Sequence, residues 1–313
     1  MKIRLNFLFL AVFLQYIFAV NSFSAQRVAV VLSNQHIMYE SIYEKFKLSP
    51  ELKGVIIKKF VMESDVDNDY VQDAIRGGKF DAAFTIGTTA TKMLKDIGTV
   101  PTVFSMVVNP KYFGFVGKDE TSLPNLCGIS IEVPVEDQFN LLKEIVPHAK
   151  RIGVIFDPGK SGYTVARALE TAKKMGMEIR EVPVNTSPEV PGALTMLEDN
   201  IDVLFAIVDD TVYKTSTMGH ILLRCLKKKI PVFGFSHTIT KAGALFSTYI
   251  DYDSIGEIGA ERIRMILDGT PCKEIPFRFT EKWQYSLNLN VSHRLGIDMP
   301  HSIYIKADKV VNE

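Results

Sequence analysis

The sequence predicts an α/β protein in which two doubly wound, parallel-sheet lobes are joined by a multi-strand hinge. Short apolar runs of β type alternate with amphipathic helical stretches from residue 26 onward, as in successive βαβ units. In addition, three of the apolar runs in the first half of the chain have counterparts, in the same order, in the second half. The alternation predicts parallel sheets, and the recurrence predicts two similar lobes.

The first half contains four predicted strands with helices between them. The strand Val28–Leu32 is apolar throughout, which is typical of a parallel strand covered on both faces. The predicted strands are Arg27–Ser33, Gly54–Val61, Phe80–Ile86 and Pro101–Val107. The predicted helices between them are His36–Lys47, Asp67–Arg76 and Thr88–Ile97.

The second half repeats the alternation after a loop. Its predicted strands are Arg151–Phe156, Glu178–Val184, Val203–Val208 and Pro231–Phe235. Its predicted helices are Val135–Ile145, Ser161–Met175, Pro188–Asp199 and Thr215–Lys228. Three segment pairs resemble each other across the halves: 27–33 with 151–157, 81–89 with 202–210, and 100–105 with 230–236.

The C-terminal segments are predicted to cross back between the lobes and form the hinge. These segments are the strand-like run Ala244–Ile250, the helix Ser254–Leu267 and the long β-type run Pro276–Leu289. We therefore expect an N-terminal lobe of residues 26–128 plus 248–280. The C-terminal lobe is then residues 129–247 plus 281–313.

The first 25 residues have the order of a secretory signal peptide. Lys2 and Arg4 precede the apolar run Leu5–Val20, and small polar residues follow. An uncleaved membrane anchor is the alternative, although the run is short for a bilayer of about 30 Å. The sequence therefore predicts an exported protein, soluble in the periplasm after cleavage.

The composition argues against several function classes. Lys plus Arg and Asp plus Glu both number 36, so no charge excess favours nucleic acid. Cys127, Cys225 and Cys272 lack metal-binding spacing, and three free, buried thiols are the simplest interpretation, with one disulfide as the alternative. Gly159-Lys160-Ser161 lacks the first glycine of a phosphate-binding loop, since position 154 is Val. We expect no enzyme activity, no cofactor and a monomer.

Polar residues cluster where the predicted strands end, and ligands of open α/β sheets bind beyond these ends. The expected contacts are Gln35, His36, Gly87, Thr88, Thr89, Ser105, Asp157, Asp209, Asp210 and Ser236. Gly87 to Thr89 open a helix, whose free N–H groups favour a carboxylate. Asp209 and Asp210 are expected to accept hydrogen bonds from an ammonium. Helix capping is the alternative role for these residue types.

An ordered set of short stretches carries a family resemblance from about Arg27 to Pro300. It includes Gln35-His36, Gly87-Thr88, Val133-Pro134-Val135-Glu136 and Asp209-Asp210-Thr211-Val212. The chain resembles the ABC-transporter substrate-binding proteins that handle tryptophan and other aromatic amino acids. The resemblance implies a type I periplasmic-binding-protein fold and ligand contacts at Thr88, Asp209, Asp210 and Ser236. Ile37-Met38-Tyr39, and Asp210 in place of Asn, depart from the family pattern.

The predicted function is therefore capture of a small polar solute, such as an amino acid, in an interlobe cleft. The resemblance implies delivery to ABC permease subunits in the inner membrane. The alternative is a periplasmic ligand-sensing subunit of a signalling receptor.

Overall fold

The computed structural model describes residues 25–117, 119–279 and 283–312 and contains two separate β-sheets. The predicted signal segment lies outside the described residues except for Ala25. The first sheet has six strands in the order β11-β5-β4-β3-β1-β2, and all of its pairs are parallel. Its strands are β1 (Arg27–Leu32), β2 (Ile56–Val61), β3 (Ala82–Ile86), β4 (Thr102–Ser105), β5 (Leu126–Ser130) and β11 (Arg278–Phe279).

The second sheet has seven strands in the order β13-β12-β10-β9-β8-β6-β7. Its pairs are parallel except β10 with β12, which run antiparallel. Its strands are β6 (Arg151–Phe156), β7 (Glu178–Pro183), β8 (Val203–Phe205), β9 (Val232–Gly234), β10 (Phe246–Ile250), β12 (Trp283–Asn288) and β13 (Lys309–Val311).

Helices connect the strands and cover both sheets. They are α1 (Ile37–Leu48), α2 (Asp65–Gly77), α3 (Thr88–Ile97), α4 (Val135–Ile145), α5 (Pro158–Lys174), α6 (Val190–Leu197), α7 (Thr215–Lys227), α8 (His237–Ala242), α9 (Tyr252–Leu267), α10 (Leu289–Leu295) and α11 (His301–Tyr304). Within the residues that the structure describes, no helix has the length and apolarity needed to cross a membrane.

The two sheets repeat one strand order, which confirms the predicted α/β fold of two doubly wound lobes. Reading along each sheet, β2-β1-β3-β4-β5 corresponds to β7-β6-β8-β9-β10. The three similar sequence segments fall on equivalent strand pairs: β1 with β6, β3 with β8, and β4 with β9. One contact is duplicated as well, because Asp81 and Asp202 accept the backbone N–H of Arg27 and Arg151, at 2.7 and 2.8 Å.

The first sheet is buried on both faces by helices from distant parts of the chain. Alternate residues of β1 point to opposite faces. Val28 and Val30 pack with residues of α1 and α9, while Ala29 and Val31 pack with residues of α2 and α3. The second sheet shares one large cluster with α4 to α7. The thiols of all three cysteines are free and buried.

The chain passes between the sheets three times among the described elements. It crosses from β5 to α4, from β10 to α9, and from β11 to β12. The sequence did not predict β5, because its short Leu126–Ser130 segment contains Cys, Gly and Ser. The expected lobe boundaries at 128/129 and 247/248 fall inside β5 and β10, which pair along their length within the first and second sheets respectively.

Helix α9 crosses α1 at Gly256, and the close approach requires a residue without a side chain. A Cβ at Gly256 would lie 2.5 Å from the carbonyl oxygen of Ile42 and 2.8 Å from the backbone nitrogen of Phe46. We expect Gly256→Ala to lower the free energy of unfolding by about 1–3 kcal/mol, because the two helices must separate. Urea denaturation followed by circular dichroism measures this change.

Gly219 in α7 is the matched control, since it is helical, exposed and has no atom within 4 Å of an added Cβ. We expect Gly219→Ala to raise stability by up to about 1 kcal/mol through helix propensity alone. Equal effects of the two substitutions would contradict the packing role of Gly256.

Candidate functional site

A cavity of about 260 Å³ lies between the two sheets, beside the first two crossings. Its volume is close to the lower end of the roughly 300–1,000 Å³ that is usual for small-molecule sites. The first lobe contributes Met38, Met106 and Val108. The first two crossings contribute Ile131, Glu132, Val133 and Tyr252. The second lobe contributes Val135, Gln138, Thr164, Phe205, Ala206, Ile207, Val208, Phe235, Thr248, Tyr249 and Ile250.

Most of the cavity wall is aliphatic, aromatic or thioether. Its aromatic residues are Phe205, Phe235, Tyr249 and Tyr252. Burial raises the pKa of both tyrosine hydroxyls above their usual value. Met106 follows β4 with a φ of 55°, a left-handed conformation that a side-chain-bearing residue rarely adopts. Such conformations cost of order 1 kcal/mol or more and cluster at ligand sites. The wall therefore suits a ligand with an apolar or aromatic group.

The polar side chains of the wall fall into two kinds, one neutral and one charged. Gln138 ties the first crossing to the second sheet, since its Nε2 donates to the carbonyl of Val133 at 2.8 Å and its Oε1 accepts from Thr248 Oγ1 at 3.2 Å. Glu132 is the charged member of the described wall. Burial raises the pKa of its carboxyl group, and Arg167 opposes that shift.

The predicted contacts of the first lobe gather around the start of α3. Gly87 has a φ of 102°, and a Cβ there would lie 2.6 Å from the hydroxyl oxygen of Ser33, so the turn requires glycine. Ser33 Oγ accepts the backbone N–H of Ala90 at 2.9 Å. Thr88 is half-buried and Thr89 is exposed, and no described group bonds to their backbone N–H groups. Ser105 is buried, and its hydroxyl donates to the carbonyl of Thr85 at 3.1 Å.

Gln35 and His36 lie at the start of α1 and are both exposed. His36 caps the helix, because its Nδ1 accepts the N–H of Met38 at 3.3 Å. Its ring also meets that of Tyr39 edge-on, with 6.0 Å between the centroids. The capping role that the sequence left open is therefore present at His36.

The predicted contacts of the second lobe form a hydrogen-bonded network centred on Asp209, which is 3% exposed. Its Oδ2 accepts from Asp157 N at 2.7 Å and from Ser161 Oγ at 2.5 Å. Its Oδ1 accepts from the backbone N–H groups of Thr211 and Val212, at 2.9 and 3.2 Å. The carboxylate of Asp209 thus has four donors from its own lobe and holds the loop after β8 against the start of α5.

The other three predicted residues of this lobe also have partners nearby. Asp157 caps α5 through Gly159 N at 2.9 Å, and Ser236 caps α8 through Ile239 N at 3.3 Å. Asp210 has a side chain that is 82% exposed, and it pairs with Lys160. That ion pair lowers the pKa of Asp210 and raises the pKa of Lys160.

None of the ten predicted contacts belongs to the cavity wall, although several are sequence neighbours of residues that do. Met106 follows Ser105, Val208 precedes Asp209, and Phe235 precedes Ser236. As ligand contacts, the ten residues stay a prediction. Sequence reasoning missed Glu132, Gln138, Tyr249 and Tyr252, because these residues lie on the crossings, in α4 and in β10, away from the strand ends on which it concentrated.

Two similar α/β lobes that enclose a cavity beside their crossings define a solute-binding protein of the type I periplasmic-binding-protein fold. A sequence model of the family "ABC transporter substrate binding protein" matches residues 52–311. The chain belongs to this family, whose members bind substrates and are not enzymes.

Individual relatives are similar to this chain in sequence or in fold. The chain is 28% identical over 240 residues to a tyrosine-binding protein of Clostridioides difficile, covering 74% of this chain and 68% of that protein. It is similar in fold to a ligand-free, open substrate binding protein from Clostridium difficile, with a TM-score of 0.77, 23% identity and coverage of 92% and 100%. An ABC domain from Streptococcus pneumonia in complex with L-Trp has a TM-score of 0.66, 20% identity and the same coverage.

The network around Asp209 generates a stability prediction. We expect Asp209→Ala to lower the free energy of unfolding by about 3 kcal/mol or more, because several buried N–H and O–H donors lose their acceptor together. Chemical denaturation measures the change. Asp210→Ala is the control, and we expect little change because its carboxylate is exposed. If Asp209→Ala were as stable as Asp210→Ala, the structural role of Asp209 would be wrong.

Proposed function

We propose that the protein is an exported receptor that captures an amino acid with an aromatic side chain and delivers it to an ABC permease. The observation that carries the proposal is the cavity between the lobes, whose wall combines four aromatic residues with aliphatic side chains and one carboxylate. Aromatic rings stabilise one another through stacked or edge-to-face contacts. A carboxylate and neutral donors suit the polar end of the same ligand.

The names of two relatives support this class of ligand. One relative is a tyrosine-binding protein, and another was solved in complex with L-Trp. The N-terminal sequence order supports export to the periplasm, where the receptor acts as a monomer. Membership of the ABC substrate-binding family supports delivery to permease subunits in the inner membrane.

The position of the cavity supports capture by closure of the lobes. A ligand that touches Met38 and Met106 of the first lobe and Phe235 of the second stabilises the arrangement in which both walls are within reach. Closure of the lobes brings the predicted contacts at the strand ends to the ligand. Thr88, with its free backbone N–H, is one of them. Carboxylates are favoured at such helix starts.

Thermal denaturation with and without L-tyrosine, L-tryptophan, L-phenylalanine and L-leucine tests the proposal. A ligand that binds only the folded state raises stability by about 2.7 kcal/mol at one hundred times its Kd. We expect the aromatic amino acids to raise Tm more than L-leucine does. A larger shift with L-leucine, or no shift with any of them, would contradict an aromatic amino-acid ligand.

Phe235→Ala is the variant that tests the cavity itself. We expect it to weaken binding of the best aromatic amino acid by roughly tenfold or more, because a buried ring contributes on the order of 1.5–3 kcal/mol. Isothermal titration calorimetry gives the affinity. Phe113→Ala is the control, since Phe113 is partly exposed and is not part of the wall. An equal loss in both variants would argue against binding in this cavity.

Trp283 offers a direct readout of lobe movement, because it is the sole tryptophan and packs against the core clusters of both lobes. We expect L-tyrosine to change the intensity or wavelength of Trp283 emission, excited where tyrosine does not absorb. Trp283→Phe abolishes the signal while calorimetric binding persists. An unchanged emission at saturating ligand would contradict a closure that bends the chain at β12.

A further inference from the structure

Glu132 is the acidic residue of the cavity wall. It lies on the first crossing, between β5 and α4, and its side chain is 21% exposed. It belongs to the cavity wall, whose other polar side chains, Gln138, Thr164, Thr248, Tyr249 and Tyr252, are all neutral. Among the described residues of the cavity wall, Glu132 is therefore the single one with a formal charge, and that charge is negative.

The partners of Glu132 leave its carboxylate poorly satisfied. Its Oε2 lies 3.5 Å from Nη1 of Arg167, which is long for a charge-assisted hydrogen bond. The same Nη1 also faces Oε1 of Glu120, at 3.9 Å. Lys111 lines a smaller neighbouring pocket together with Glu132 and Arg167, and its Nζ lies over the ring of Tyr163, 5.5 Å from the centroid. One guanidinium is thus shared between two carboxylates.

A largely buried carboxylate is costly unless it is closely paired, and the ion pair of Glu132 is long. Burial accordingly raises the pKa of Glu132. The sequence predicted that Asp209 and Asp210 bind an ammonium, but both carboxylates have other partners. Asp209 accepts from four donors of its own lobe, and Asp210 pairs with Lys160. In the cavity, Gln138 already uses both ends of its amide. Of these acids, Glu132 is therefore the one that lines the cavity, and its ion pair is long.

We propose that Glu132 binds the positively charged group of the ligand, which for an amino acid is the α-ammonium. The inference rests on the proposed function and names the chemical class more closely: a primary amine with an aromatic or apolar group. An ammonium donates strong, charge-assisted hydrogen bonds to the carboxylate, in addition to its long ion pair with Arg167. Carboxylic acids of the same shape without the amine are poor ligands.

The test compares L-tyrosine with 3-(4-hydroxyphenyl)propionate, which lacks the ammonium, on the full chain by calorimetry. We expect the wild type to prefer L-tyrosine by roughly tenfold or more, as expected for a hydrogen bond to a charged group. Glu132→Gln keeps the size of the side chain and removes its charge. In this variant we expect affinity for L-tyrosine to fall by roughly 10- to 100-fold. The des-amino acid should bind equally well or better.

Glu120→Gln is the matched control, because it removes the other carboxylate of Arg167 without touching the cavity wall. We expect it to keep the preference for L-tyrosine, and thermal denaturation of both variants confirms that they fold. Unchanged L-tyrosine affinity in Glu132→Gln, or an equal loss in Glu120→Gln, would overturn the role of Glu132. Binding of no aromatic amino acid by the wild type would overturn the proposed function, and this inference with it.

Discussion

The architecture depends on one constraint: the first two of the crossings that join the lobes also form the floor of the cavity. Residues 131–133 and Tyr252 lie where the chain leaves one sheet for the other, and they line the space between the sheets. Gln138 fixes the first crossing to β10 of the second sheet. A ligand on this floor therefore contacts connecting segments between the lobes, and in two-lobed proteins a few such residues absorb the backbone changes of closure.

The sequence predicted the fold well because its signals are local. Apolar runs such as Val28–Leu32 identify buried parallel strands, and the similarity of 27–33 to 151–157 was enough to infer two equivalent lobes. The predicted helices Thr88–Ile97 and Val135–Ile145 agree with α3 and α4 at both ends. The strand β5 was missed, because its burial comes from neighbours β4 and β11 and not from its own composition. The antiparallel β12 likewise owes its place to tertiary pairing.

The site was harder to predict than the fold, and Asp209 shows why. Asp209 follows the end of a strand, which is a position typical of a ligand contact. Its carboxylate oxygens nevertheless already accept hydrogen bonds from Asp157, Ser161, Thr211 and Val212. A residue's spare hydrogen-bonding capacity depends on neighbours that sequence spacing does not reveal. Glu132 is the opposite case, because nothing in its local sequence marks it as a ligand contact. Its candidacy rests on its place in the cavity wall and on its ion pair with Arg167.

Helix α9 has a consequence for how the chain acquires its structure during synthesis. The apolar face of the first sheet that carries Val28, Val30 and Phe84 is covered in part by Ile255 and Ile263. These two residues come late in the chain, after all of β6 to β10. The first lobe therefore cannot complete this face of its core until most of the second lobe has been made. A nascent chain that stops before α9 leaves part of this apolar face exposed to solvent, although α1 covers the rest.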